Sequence, residues 1–122
     1  MIALDHLILR VRHAAPSIDF YDRVLGLRHE GRRGPFEALR VNAGLVIDLL
    51  EDEVRERLHL AFRLGREEFD AAHRYLSEAG IPFGGGPFER DGAVGRTLGA
   101  LGTADALYFH DPDGHNIEIR RG

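Results

Sequence analysis

The chain has 122 residues and a mass of 13.6 kDa, the size of one domain with a real core, since a chain of that length hides roughly two thirds of its unfolded surface. Its 16 basic and 20 acidic residues are mixed along the sequence and give a formal charge of −4, a balance that does not support nucleic-acid binding. It has no cysteine, which excludes disulfides, thiolate ligands and cysteine nucleophiles and leaves any metal to nitrogen and oxygen donors.

At the N-terminus, Met1 to His6 has no basic stretch leading into an apolar segment, and no apolar run approaches the ~18 residues of a membrane span. A cytoplasmic protein with no membrane partner is the expectation. Leu7, Leu9 and Val11 alternate with His6, Ile8 and Arg10, the period of a strand with one apolar face. Pro16 and Ser17 then open a helix through Leu25, with Ile18, Phe20, Tyr21, Val24 and Leu25 at helical spacing and Gly26 as a left-handed cap. Residues 27 to 33, 36 to 42 and 45 to 51 read as strands separated by Gly34-Pro35 and Asn42-Ala43-Gly44. The first unit is therefore βαβββ.

A short charged connection, Asp52 to Arg57, leads to a second strand, Leu58 to Leu64. A helix over Arg66 to Ala79 follows, burying Phe69, Ala72, His73 or Leu76 and stopping at Gly80. Ile81 to Arg90 and Ala106 to His110 read as extended, and His115 to Arg121 as the last strand, giving βαβββ again. Between them, residues 84 to 102 hold seven of the fifteen glycines, which reads as a mobile loop, a lid or a long connection.

The two halves repeat one another. Asp5-His6-Leu7-Ile8-Leu9-Arg10-Val11 and Leu58-His59-Leu60-Ala61-Phe62-Arg63-Leu64 share a histidine, a leucine, an arginine and a closing aliphatic at matching places. Each half also ends on an acid between aliphatics four residues beyond a glycine: Asp48 after Gly44 and Glu118 after Gly114. Two histidines and two carboxylates at equivalent places form a pattern suited to a divalent metal. Strand parity points all four away from the apolar faces that pack on the helices, and puts Arg10, Arg63 and Arg120 on the ligand side. His13, His29, His73, His110 and His115 fall outside the repeat and read as surface or structural residues. Asp111-Pro112-Asp113-Gly114 reads as a turn.

The string Tyr108-Phe109-His110-Asp111-Pro112-Asp113-Gly114-His115-Asn116-Ile117-Glu118-Ile119 resembles the closing motif of the vicinal oxygen chelate superfamily of glyoxalases, bleomycin-resistance proteins and dioxygenases. With Asp5-His6-Leu7, Phe20-Tyr21 and Leu25-Gly26, the resemblance spans the chain, and Gly86 to Gly92 resembles a short bacterial glyoxalase-domain branch. It implies an α+β fold in which two paired βαβββ modules, about 1–52 and 57–122 of a single 1–122 domain, form a curved, incomplete barrel. It also implies metal ligation by His6, His59 and Glu118 and places Asp48 where glyoxalase I has a fourth carboxylate. One ion of Mn, Fe, Ni, Co or Zn is the implied cofactor.

The expectation is an enzyme of isomerase, lyase or transferase type whose small-molecule substrate chelates the metal through adjacent oxygens. Asp48 and Glu118 are the candidate proton-transfer groups, and Arg63, Tyr108 and Arg120 the candidate substrate contacts. Positions 99 to 101 are Gly99, Ala100 and Leu101, where the ring-cleaving dioxygenase pattern has a histidine, which disfavours that reaction. Asp48 is one methylene shorter than glutamate, so it would orient water or act as a base unless its strand came closer by ~1.5 Å. The alternative is a non-catalytic small-molecule-binding protein of the bleomycin-resistance type, with Phe36, Phe88 and Tyr108 lining its pocket. The size of the chain and the family both imply a homodimer.

Overall fold

The period-two alternation at the start of the chain becomes β1, His6–Val11, in a computed structural model that describes all residues from 1 to 122. The chain divides into two compact units, Met1–Glu56 and Arg57–Gly122. No helix is long and apolar enough to cross a membrane.

In the first unit β1 is followed by α1 (Ala14–Leu25), β2 (Arg28–Arg33), β3 (Phe36–Asn42) and β4 (Leu45–Glu51). Helix α1 starts two residues ahead of Pro16, because the Ala14 N–H finds an acceptor in the Glu51 carboxylate at 2.8 Å. Pro16 then sits in the first turn, where its missing N–H costs no helical hydrogen bond. At the other end Gly26 adopts φ 67° and its N–H closes on the Asp22 carbonyl, the left-handed cap expected there. The sheet runs β1-β4-β3-β2, with β1 parallel to β4 and the remaining pairs antiparallel. Leu9, Val11, Leu39, Ile47 and Leu49 are at most 1% exposed and form the core with Tyr21 and Val24 of α1.

The second unit contains β5 (His59–Leu64), α2 (Arg66–Glu78), β6 (Phe83–Gly84), β7 (Gly95–Gly99), β8 (Gly102–His110) and β9 (Asn116–Arg121). Glu68 reaches back to the Gly65 N–H at 2.9 Å and, with Glu67, places negative charge at the N-terminal end of α2. The sheet runs β5-β9-β8-β6, with β7 paired to β8. Phe69, Ala72 and Leu76 of α2 are buried, as are Leu107, Phe109, Ile117 and Ile119 of the sheet.

The glycine-rich stretch departs from the expectation. Only Phe83–Gly84 of residues 81 to 90 pairs as a strand, while β7 forms a hairpin with β8 inside what the composition suggests is a loop. The element order of this unit is thus βαββββ. Glycine serves close packing here. A Cβ at Gly95 would lie 1.9 Å from the Gly85 carbonyl oxygen, and one at Gly84 would lie 2.2 Å from that of Glu89. The intervening loop is tied down by Arg90, which donates to the Glu89 carbonyl and to Asn116 Oδ1, each at 2.7 Å.

The duplication holds at the level of register. In the first unit Ile8 lies opposite Asp48 across the parallel β1–β4 pair, and in the second Ala61 lies opposite Glu118 across the parallel β5–β9 pair. Each histidine stands one same-face position before the residue opposite its acid, His6 across from Val46 and His59 across from Asn116.

Candidate functional site

Strand pairing in the second unit sets His59, Glu118, Tyr108, Thr97, Arg63 and Arg120 on one sheet face. His59 Nδ1 lies 3.0 Å from the Asn116 carbonyl oxygen. A carbonyl can only accept, so Nδ1 carries the hydrogen and, in the neutral ring, Nε2 carries the lone pair. That Nε2 is 3.1 Å from Glu118 Oε1. Two lone-pair donors at this distance call for a cation, either a proton on the ring or a metal shared between them.

Glu118 is 5% exposed and fully engaged. Its Oε2 accepts from Arg120 Nη1 at 2.5 Å and from the Thr97 hydroxyl at 3.2 Å. Burial by itself would raise its proton affinity, but the hydrogen bonds from Arg120 and Tyr108 outweigh that and hold the carboxyl below its ordinary value. Tyr108 stacks on the His59 ring with centroids 5.8 Å apart, and its hydroxyl lies near enough to Thr97 and Glu118 to feel both. Burial raises the pKa of this phenol, so it remains a neutral donor.

Arg120 is committed within the protein. Besides Glu118 it donates to the Thr97 hydroxyl at 2.6 Å, the Thr97 carbonyl at 2.7 Å and the Gly102 carbonyl at 3.1 Å. Gly99 makes room for it, since a Cβ there would lie 2.6 Å from Arg120 Nε. The β7–β8 hairpin therefore clamps the arginine that orients the carboxylate. Arg63, opposite Arg120 in register, has no hydrogen bond or ion pair.

In the first unit His6 donates from Nδ1 to Asp5 Oδ2 at 2.7 Å, again leaving Nε2 free. The hydrogen bond to Asp5, aided by the charges of Asp5 and Asp48, raises the His6 pKa. Asp48 lies between Ile8 and Ala38 in register, and its Oδ1 is buried with no hydrogen-bond partner.

Of the residues singled out from sequence, His59, Glu118, Tyr108 and Arg120 thus meet in one cluster, and His6 shares a sheet face with Asp48. No three His, Asp or Glu side chains converge on one ion-sized site. The donor chemistry nevertheless fits a divalent ion. Both histidines spend Nδ1 on an oxygen acceptor and keep Nε2 available, the usual outer-sphere arrangement of metal-binding imidazoles. The spacing of His59 and Glu118 also matches two ligands on adjacent positions of one ion, which at ~2.1 Å bonds stand ~3 Å apart.

Thr97 and Asn116 belong to the cluster and are not singled out by sequence. The alternation of Gly95, Thr97 and Gly99 with Arg96 and Leu98 was the available signal for Thr97, masked by the glycines. Asn116 shares parity with Glu118. Among the other histidines, His115 is fully buried and accepts from the Leu58 N–H at 2.9 Å, His73 meets the Phe83 ring edge-on, and His110 contacts Arg90. Phe88, expected to line a binding pocket in the alternative reading, is 94% exposed.

Residues 3–119 match the model of the Glyoxalase/Bleomycin resistance protein/Dioxygenase superfamily. The chain is 27% identical to a glutathione transferase, FosA, of Serratia marcescens, over 98% of its length and 81% of the relative's. It is 31% identical to the virulence protein STM3117 of Salmonella typhimurium, covering 95% of this chain and 81% of that one. Among solved structures it resembles the oxidase ChaP-H2 with a TM-score of 0.88 and 28% identity, covering 99% of this chain and 94% of the other. The βα-plus-sheet duplication, the paired histidine and carboxylate positions and these matches agree: the chain is a member of the Glyoxalase/Bleomycin resistance protein/Dioxygenase superfamily.

Proposed function

We propose that this protein is a divalent-metal-dependent enzyme whose small-molecule substrate chelates the ion through adjacent oxygens, with His6, His59 and Glu118 as the protein ligands. The observation that carries the reading is the pair of histidines held through Nδ1, one of them presenting Nε2 to Glu118 Oε1 at 3.1 Å. A bound Mn, Fe, Ni, Co or Zn ion would supply Lewis-acid stabilisation of negative charge developing on the substrate oxygens.

The protein's own groups supply the rest. Arg120 and Thr97 keep Glu118 ionised and its Oε2 occupied, so only Oε1 faces His59. Tyr108 holds a proton beside that carboxylate and can donate it to a substrate oxygen. Asp48, with an unpaired buried oxygen on the ligand-side face of the first unit, is the proposed base. Of the three reaction classes, transferase chemistry has the support of curated relatives named glutathione transferase and metallothiol transferase. The structural likeness to an oxidase carries a second reading, in which the same ligands serve an oxidation. Thiol consumption against oxygen uptake in the presence of Mn²⁺ or Fe²⁺ separates the two.

The reading includes a homodimer in the cytoplasm, acting as one domain of two modules. Exposed Ile8 on edge strand β1, together with exposed Met1, Ile2 and Leu4, supports a partner chain at that edge. Equilibrium dialysis against Mn²⁺, Zn²⁺ and Ni²⁺ tests the metal directly: one ion per chain is expected, with weaker binding in His6→Ala, His59→Ala and Glu118→Gln.

A further inference from the structure

Beside the His59–Glu118 cluster lies a cleft of about 180 Å³ lined by Arg63, Arg120, Arg121 and residues 101 to 104 at the start of β8. Three arginines around so small a space would repel one another unless each had a counter-charge, and two of them do. Arg120 is paired with Glu118. Arg121 donates to Asp70 at 2.7 Å, stands 3.6 Å from Asp105 and covers the Phe69 ring. Asp105 is further neutralised by Arg96 at 2.8 Å. Four arginines thus face three acidic side chains, and the arginine left without a side-chain partner is Arg63, which has neither hydrogen bond nor ion pair.

Arg63 is also placed. A Cβ built on Gly122 would lie 2.3 Å from its Cγ and Cδ, so the aliphatic stem packs against that backbone, which is itself fixed by the Gly122 N–H to the Leu64 carbonyl at 2.8 Å. The guanidinium is held at its root and unpaired at its tip. By strand parity it shares a face with His59, and it lies two residues, or ~7 Å, along β5 from the position opposite Glu118. An unpaired guanidinium gains most from a planar or tetrahedral oxyanion that accepts two of its N–H groups.

We infer that the substrate carries, a few bonds from its chelating oxygens, a separate anionic group that pairs with Arg63. This rests on the metal-chelation reading above and adds the substrate class: a small carboxylate, phosphate or phosphonate, not a neutral dicarbonyl or diol. Arg63 is then the residue that sets specificity, while Arg120, committed to Glu118, positions the carboxylate.

The test uses the 122-residue chain with Mn²⁺ and two probes that present the same adjacent oxygens, acetohydroxamate and succinomonohydroxamate, the second carrying an extra carboxylate. Calorimetry is expected to show the succinyl probe binding about ten- to a hundredfold tighter to the wild type. Arg63→Gln should abolish that preference while leaving acetohydroxamate unchanged, and Arg63→Lys should retain part of it. Equal affinities in the wild type, or a preference that survives Arg63→Gln, would overturn the inference. Repeating the pair after EDTA treatment separates the two claims. Affinities that ignore metal removal contradict the chelation reading, and the Arg63-dependent difference between probes is then read without metal; binding lost with the metal supports chelation, and the difference is read in Mn²⁺.

Discussion

Asp48 and Glu118 occupy the same register position in two copies of one unit, yet their carboxylates are held in opposite ways. Glu118 is bonded to Arg120 and Thr97, whereas Asp48 has a buried oxygen with no hydrogen-bond partner. One carboxylate is fixed by its neighbours, and the other keeps one oxygen without a donor inside the protein.

Asp48→Asn is therefore expected to leave metal content near wild type and to change stability little, because the amide keeps a polar atom at the unpartnered position. Turnover should fall ~10²- to 10⁴-fold if Asp48 is the base. Thermal melts and metal analysis of the variant check both halves. A variant less stable than wild type and still active would mean that the aspartate is structural.

Arg120→Met should be far more damaging than its position near the chain end suggests. It removes the partner of a carboxylate 5% exposed and the side-chain hydrogen bonds that Arg120 donates to the Thr97 and Gly102 carbonyls of the β7–β8 hairpin. Breaking a buried pair from one side costs about 3–5 kcal/mol. Denaturant unfolding of Arg120→Met beside the double variant Arg120→Met/Glu118→Gln measures it, and the double variant should recover part of the loss.

Glu118 also sets a pH dependence. Its folded pKa lies below the ordinary 4.5, held there by Arg120 and Tyr108 against the effect of burial. Its contribution is complete above the unfolded value and is lost as pH falls through the lower, folded value. Stability measured across the range below about pH 4.5 should thus fall less steeply in Glu118→Gln than in wild type. Identical slopes would show that this carboxyl does not titrate differently in the folded state.

Much of this was legible in the sequence. Period-two alternation gave β1 and β5, and the helical spacing through Phe69, Ala72 and Leu76 gave α2. The matching His6/His59 and Asp48/Glu118 positions named the acids and imidazoles that the registers then placed. What sequence hid was β7. Two of its five residues are glycines, and glycine's low strand preference looks the same whether it marks a floppy loop or a backbone contact. Nor could parity alone tell Arg120, held by Glu118 and Thr97, from the unpaired Arg63, since both project from the same face.

Glycines 92 and 95 separate the two meanings of that residue. Gly92 has φ 77° with open space around it, so Gly92→Ala should cost about 1 kcal/mol in backbone strain alone. Gly95→Ala meets the Gly85 backbone at 1.9 Å and should cost more, about 1–3 kcal/mol or above, with β7 displaced. Comparative melting temperatures of the two variants check the order.

Whether His59 and Glu118 share a metal ion is open to direct measurement. Protein purified without chelator, dialysed against Mn²⁺ and analysed for bound metal by elemental mass spectrometry, is predicted to hold one ion per chain. His59→Ala and Glu118→Gln should each hold markedly less. Wild-type protein that stays metal-free through Mn²⁺, Zn²⁺ and Ni²⁺ would contradict the account and leave a protonated His59 as the partner of Glu118.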